Sequence, residues 1–181
     1  IAPFDAELFG HWWFEGPKFL SQLFIQSEKE GIKLITLKEA LQLKSQIQLC
    51  NPSPSSWGQG GFHNYWLNES NAWIVHQWSK ASREMVRICS KGIQKESNIK
   101  VLKQAARELL LCQSSDWSFI LKAGTTTELA RERINLHMKR FWMLIEAVND
   151  NKTIDQKILE KIEKEDCIFP LISPIDWENK I

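Results

Sequence analysis

The chain has 181 residues, 43% of them hydrophobic and 25% charged, which suits one ordinary domain, or a domain with part of another, and excludes wholesale disorder. With 23 Lys and Arg against 22 Asp and Glu the net charge is +1, so there is no electrostatic footprint for nucleic acid or an anionic membrane. No apolar run approaches the ~20 residues that a membrane-spanning helix needs.

The first fifty residues read as β/α. Asp5 follows Pro3-Phe4, as a residue at the carboxyl end of a strand would, and the stretch to Gly16 adds Glu7, His11, Trp12, Trp13 and Phe14. A carboxyl group beside indoles is partly desolvated, which raises its pKa and suits it to act as a general acid; alternatively, Asp5 and Glu7 solvate a strand end. His11 has no second ligand at metal spacing on its element, which favours a hydrogen-bonded histidine. Gly16-Pro17 starts a helix whose apolar residues Phe19, Leu20, Leu23 and Phe24 run toward Glu30, and Gly31 ends it in the left-handed conformation. Ile32 to Ile35 is expected to be a short strand, and Thr36 with Glu39 a capping box that opens a helix through Leu43. One such unit cannot bury both faces of a parallel strand, so further strands are expected ahead of Ile1.

Asn51 to Ser56 has linker composition, and an unusual stretch follows. Of nine tryptophans in the chain, Trp57, Trp66, Trp73 and Trp78 lie between Lys44 and Lys80, where Glu69 is the single formal charge. Such a segment is either an aromatic core beneath a long loop or a surface for polar ligands with apolar faces, sugars above all. Beyond it the period is helical. Ile74, Trp78, Ala81, Met85 and Ile88 mark a first helix, and Leu102, Ala105, Ala106, Leu109 and Leu110 a second. Thr125 and Glu128 are expected to box a third, with the stripe Ile134, His137, Met138, Phe141, Ile145 and Val148. Thr153 and Gln156 are expected to start a fourth, with Ile158 and Ile162 inward. His137 on an apolar face is expected to be a satisfied core histidine. Asp116 sits where the second helix ends, either as an N-cap or as an acceptor for ligand hydroxyls. The four widely spaced cysteines show no metal spacing and are expected to be buried free thiols.

In order along the chain, Pro3-Phe4-Asp5-Ala6-Glu7-Leu8-Phe9-Gly10-His11-Trp12-Trp13, Ser55-Ser56-Trp57-Gly58-Gln59-Gly60-Gly61, Trp66-Leu67-Asn68-Glu69 and Ser115-Asp116-Trp117 resemble motifs of glycoside hydrolase family 57, and within it of the 1,4-α-glucan branching enzymes. Arg131-Glu132-Arg133 and Arg140-Phe141 continue the match, while Ser114 and Ser118 depart from the Ala and Pro expected there. The resemblance implies a mainly α chain: the tail end of a distorted (β/α) barrel followed by a helical-bundle C-terminal domain. Residues 1–50 would be the C-terminal β/α portion of the catalytic barrel, 51–70 an aromatic active-site loop and linker, 71–165 the helical domain and 166–181 a tail.

It further implies a retaining double displacement on α-1,4-glucan (glycogen, amylose or starch-like), with Asp5 as acid/base and Trp57, Asp116, Trp66, Trp12 and Trp13 around the substrate. Such chemistry places two carboxylates about 5–5.5 Å apart and uses neither metal nor organic cofactor. The implied nucleophile belongs to an upstream barrel portion of the same polypeptide, so the 181-residue chain alone is expected to be inactive and its location cytoplasmic. An α-amylase or 4-α-glucanotransferase of the same family, or a glucan-binding helical module without chemistry, are the alternatives.

Overall fold

In the computed structural model, residues 4–43, 49–56, 58–91 and 96–178 are described, apart from the side chain of residue 97. The chain divides into two compact units, Ile1–Pro52 and Ser53–Ile181.

The first unit opens with a wide helical turn over Leu8–Trp12, closed by the Trp13 N–H donating to the Leu8 carbonyl at 2.8 Å. Helix α1 (Gly16–Lys29) follows, with Pro17 in its first turn, where a missing N–H costs nothing. The turn and the helix meet through rings: Phe9 packs against Phe4, Trp13 and Phe19, and Trp13 lies 4.9 Å from Phe19 between centroids. Gly16 permits that approach, because a Cβ there would fall 3.0 Å from the Phe9 Cα. Gly31 takes φ +70 behind α1, as expected, and its N–H donates to the Glu28 carbonyl.

The Thr36–Glu39 box also forms. Glu39 accepts from the Thr36 N–H at 2.8 Å and donates its own N–H to Thr36 Oγ1, opening α2 (Leu37–Leu43). That carboxylate is held below its ordinary pKa by the bond from the Thr36 N–H foremost, and then by one from the Thr36 hydroxyl. The strand expected at Ile32–Ile35 does not form: these residues belong to no ladder among the described residues. A parallel strand exists only through hydrogen-bonded neighbours, and none of the described residues stands beside it as one. The apolar side chains meant for such a layer remain outside. Phe19, Leu23, Phe24, Ile32 and Leu34 are all exposed.

The second unit is an all-helical assembly of α3 (Ala72–Ser90), α4 (Glu96–Cys112), α5 (Ser115–Ala123), α6 (Thr127–Asn149) and α7 (Gln156–Glu165). Helices α4 and α6 form its principal pair; α3 packs on both, α5 on α6 and α7 on α4. The core follows the expected stripes. Ile74, Ala81 and Met85 of α3, Leu102, Ala105, Ala106 and Leu109 of α4, and Ile134, Phe141 and Ile145 of α6 are fully or almost fully buried. Burial of an aliphatic or aromatic side chain contributes roughly 1.5–3 kcal/mol, so this set supplies most of the unit's driving force. Trp78 Nε1 donates to Cys112 Sγ, whose thiol lies 3.6 Å from the Ile134 carbonyl, tying α3, α4 and α6 together.

Several local expectations shift. Thr125 does not box α6: Thr126 is its N-cap, with φ +47 and no side-chain cap bond, because the chain turns from α5 into α6 through Gly124 at φ +77 and then Thr126. Helix α7 is capped by Asp155 rather than Thr153, the Asp155 carboxylate accepting from the Lys157 N–H at 2.8 Å. Aspartate outranks threonine as an N-cap, so it takes the position. The inward register of α7 moves with it, so that Leu159 and Ile162 are buried and Ile158 is exposed. Of the cysteines, Cys89 and Cys112 are buried thiols, whereas Cys50 and Cys167 are free but exposed. The segment after α7 ends in a turn, Pro174–Trp177, packed on α3 and α4.

Candidate functional site

Within the first unit Asp5 stands just ahead of the Leu8–Trp12 turn, its carbonyl accepting from the Leu8 N–H at 3.1 Å. Its side chain is exposed, so the burial by indoles that the sequence suggested is not supplied inside this unit. Glu7 and His11, one helical turn apart, pair at 3.0 Å on the surface, which accounts for His11 without a metal. The adjacent tryptophans separate. Trp12 is 73% exposed with its ring beside His11, whereas Trp13 is half-buried in the cluster with Phe9 and Phe19.

Within the second unit the aromatic loop is a sequence of tight turns. Ser56 N–H donates to the Gly61 carbonyl, Ser56 Oγ donates to the Phe62 carbonyl at 2.6 Å, and Gly58 N–H donates to Ser56 Oγ. Gly60 and Gly61 both adopt φ near +75, which side chains with a Cβ rarely do. Trp57 falls outside the described residues.

The loop then turns through His63–Tyr65 to Trp66, whose half-buried ring meets Phe119 of α5 at 6.0 Å while Tyr65 meets the same ring at 4.8 Å. Helix α5 is the element the sequence did not reveal, and it carries Asp116. Ser114, not Asp116, is its N-cap; Asp116 lies in the first turn, exposed, with its Oδ2 accepting from Ser114 Oγ at 2.9 Å. A carboxylate there faces the positive end of the helix and keeps an oxygen for a hydroxyl donor. The structure therefore brings Trp66 onto the helix that bears Asp116.

The polar residues that fasten this arrangement had only a weak signal, two asparagines spaced by three ahead of an apolar period. Asn68 Nδ2 donates to the Asn64 and Tyr65 carbonyls, and its Oδ1 accepts from the Ser70 N–H and hydroxyl. Asn71 is fully buried and bonds both the loop and α5. Trp73 Nε1 donates to the Ser70 carbonyl, and the Arg131 guanidinium lies over the Trp73 ring at 5.6 Å.

A second polar cluster lies in the helical core. His137 Nδ1 is 2.8 Å from Glu108 Oε2 and 3.8 Å from Asp166 Oδ2, with Glu108 fully buried, so His137 is the satisfied core histidine expected of its stripe. Ligand atoms of Glu108, His137 and Asp166 all lie within 4.8 Å of one another, a spacing a metal ion could bridge. The protein's own donors already meet these carboxylates. Arg140 Nη1 is 2.5 Å from Asp166 Oδ2, Gln104 Nε2 donates to Glu108 Oε1 at 2.8 Å, and Arg140 also pairs with Glu165. The cluster is an ion-pair network joining α4 and α6 to the end of α7. Its partner carboxylate was hidden because Glu108 sits one residue from Leu109 within an apolar stripe.

Residues 77–177 match the family described as 1,4-alpha-glucan branching enzyme, C-terminal. The 1,4-alpha-glucan branching enzyme of Thermococcus kodakarensis is 37% identical over 190 aligned residues, covering 99% of this chain and 28% of its own length. Among solved structures, a glycoside hydrolase family 57 branching enzyme from Pyrococcus horikoshii superimposes with a TM-score of 0.85 at 35% identity, over 99% of this chain and 35% of that one. The alpha-amylase AmyC from Thermotoga maritima superimposes with a TM-score of 0.77 at 36% identity, over 99% and 33% of the two chains. The chain thus spans about a third or less of the length of each of these relatives.

Proposed function

Because the chain belongs to the family of 1,4-α-glucan branching enzyme C-terminal domains, within glycoside hydrolase family 57, we propose that it serves as the acid/base-bearing and glucan-contacting part of a longer polypeptide that branches α-1,4-glucan. The observation that carries the reading is the packing of Trp66 on Phe119 of the helix whose first turn holds the exposed Asp116. An indole offers a flat apolar face to a sugar ring, and an adjacent carboxylate accepts from its hydroxyls. Trp57, of the Ser55-to-Gly61 motif, and Trp12, exposed beside the Asp5 motif, are assigned to substrate contact with them; Trp13 supports that motif from the aromatic cluster.

Asp5 acts as the acid/base. It protonates the glycosidic oxygen as the bond to C1 breaks and a carboxylate nucleophile from the rest of the polypeptide attacks that carbon. It then removes the proton from the 6-hydroxyl of an acceptor chain as that oxygen displaces the enzyme carboxylate. Transfer wins over hydrolysis when aromatic side chains cover the site and hold the acceptor in place of water. Glycogen-like and amylose-like chains are the substrates this assigns. The free cysteines fit a reducing compartment, and the protein is assigned to the cytoplasm on that ground.

The test is Asp5→Asn in the full-length polypeptide. It keeps size and loses proton transfer, so formation of α-1,6 linkages should fall about 10²–10⁴-fold while glucan binding persists. Activity within a few-fold of the parent would remove Asp5 from the acid/base role. The likeness to the alpha-amylase favours a second reading, hydrolysis. New reducing ends without α-1,6 linkages would select it.

A further inference from the structure

Asn71 occupies the N-cap position of α3, yet its side chain makes no cap bond to that helix. An N-cap asparagine ordinarily turns its oxygen toward the N–H groups two or three residues ahead. Here Oδ1 faces backward and accepts from the Asn68 N–H at 2.8 Å, while Nδ2 donates to the Tyr65 carbonyl at 3.1 Å and to the Ser118 carbonyl at 3.2 Å. The last bond reaches 47 residues along the chain, into α5. With 0% exposure the carboxamide is closed to a ligand, its oxygen accepting one bond and its amino group donating to two carbonyls. Helix α3 forgoes its cap so that this one group can fasten the Trp66 loop to the helix carrying Asp116.

We propose that Asn71 is a positioning residue for glucan binding: it sets the spacing between the Trp66 ring and Asp116, and acts on substrate only through them. The inference rests on the reading that Trp66 and Asp116 contact glucan. Carbonyls 65 and 118 belong to the residues adjoining Trp66 and Phe119, so their separation fixes the aromatic contact on which the platform stands. Losing that spacing weakens the grip on an extended chain more than it slows proton transfer at Asp5, which belongs to the other unit.

Asn71→Asp is the closest probe. It preserves shape and the acceptor for the Asn68 N–H, but sets an oxygen in place of the amino group that donates to both carbonyls. In the full-length polypeptide assayed on amylose, KM should rise about tenfold, with a smaller fall in kcat. Combined with Trp66→Ala, the two KM effects should not multiply, since both remove the same platform. A KM for Asn71→Asp equal to the parent's, or effects that multiply fully, would overturn the proposal while Trp66→Ala alone still raises KM. If Trp66→Ala alone leaves KM unchanged, the glucan-contact reading fails, and this inference with it. Should Asn71→Asp not fold, Asn71→Ser, which is a good N-cap for α3 but too short to donate to both the Tyr65 and Ser118 carbonyls, decides by the same two measurements.

Discussion

The Glu108–His137 pair is where a single substitution should cost this fold most. Glu108 is fully buried, with Oε2 on His137 Nδ1 and Oε1 on Gln104 Nε2, so Glu108→Met, close in volume, removes the nearest acceptor of two buried polar groups, of which Gln104 Nε2 keeps the Asp166 carbonyl at 3.4 Å. Breaking a buried pair by removing one partner costs about 3–5 kcal/mol. Asp166 Oδ2, 3.8 Å from His137 Nδ1, is a reserve acceptor and brings the expectation toward the lower end. The unit Ser53–Ile181 has about 130 residues, and at ~2.1 cal/mol/K per residue its melting entropy is about 0.27 kcal/mol/K, so a loss of ~3 kcal/mol lowers Tm by roughly 11 °C. His137→Leu should cost a similar amount. The double variant replaces both partners with apolar groups and should lose little more than either single one, a coupling of about 2–3 kcal/mol. Urea unfolding followed by far-UV circular dichroism measures all four proteins. Single losses below about 1 kcal/mol, or losses that add within about 0.5 kcal/mol, would refute the claim that the pair is a coupled, desolvated unit.

Two other expectations follow from the titrating groups. Burial pushes the thiols of Cys89 and Cys112 up to about 11, whereas Cys50 and Cys167 are exposed. Mildly alkaline iodoacetamide should therefore label the latter two in native protein, with mass spectrometry finding the former only after denaturation; native labelling of Cys112 would contradict its burial. Glu84 is lowered from 4.5 to about 2, chiefly by the Arg87 guanidinium that grips both its oxygens, with Asn149 of α6 adding a bond. Because the folded value is the depressed one, the stability it contributes is complete above pH 4.5 and is lost as pH falls toward 2. Glu84→Gln should flatten that part of the curve of stability against pH, and parallel curves for the two proteins would exclude the assignment.

What the sequence made legible is what repeats. Stripes over α3, α4 and α6 run for many turns, and their inward residues are the core; Gly31 and the Thr36–Glu39 box are local signals with one geometric answer each. Short elements escaped. Helix α5 has nine residues, and its start at Ser114-Ser115-Asp116 reads as a turn, since the Ser114 hydroxyl bonds Asp116 and makes no cap bond to the helix. At α7 the cap is Asp155, two residues beyond the expected Thr153, and the inward register shifts with it. The strand at Ile32–Ile35 was inferred from propensity, but a strand is a property of pairing, which a run of apolar residues does not guarantee. The partner of His137 could not be read at all, since 29 residues separate it from Glu108.

Several of the candidate site residues stand where, or beside where, a local rule is broken. Asp5 precedes a turn wound wider than an α-helix, a geometry that recurs at functional sites. The motif around Trp57 needs two successive residues in the left-handed region, at Gly60 and Gly61. Asp116 lies on the helix too short to announce itself, and Asn71 holds a cap position that it does not use for capping. By contrast, the stripes of α3, α4 and α6, interrupted only by the paired Gln104, Glu108 and His137, contribute scaffold. A fold spends regularity on its core because burial rewards repetition, and tolerates irregular backbone where side chains must be aimed. Asn71 joins the two regimes, since its carboxamide gives up a bond to the regular helix α3 in order to hold the irregular loop.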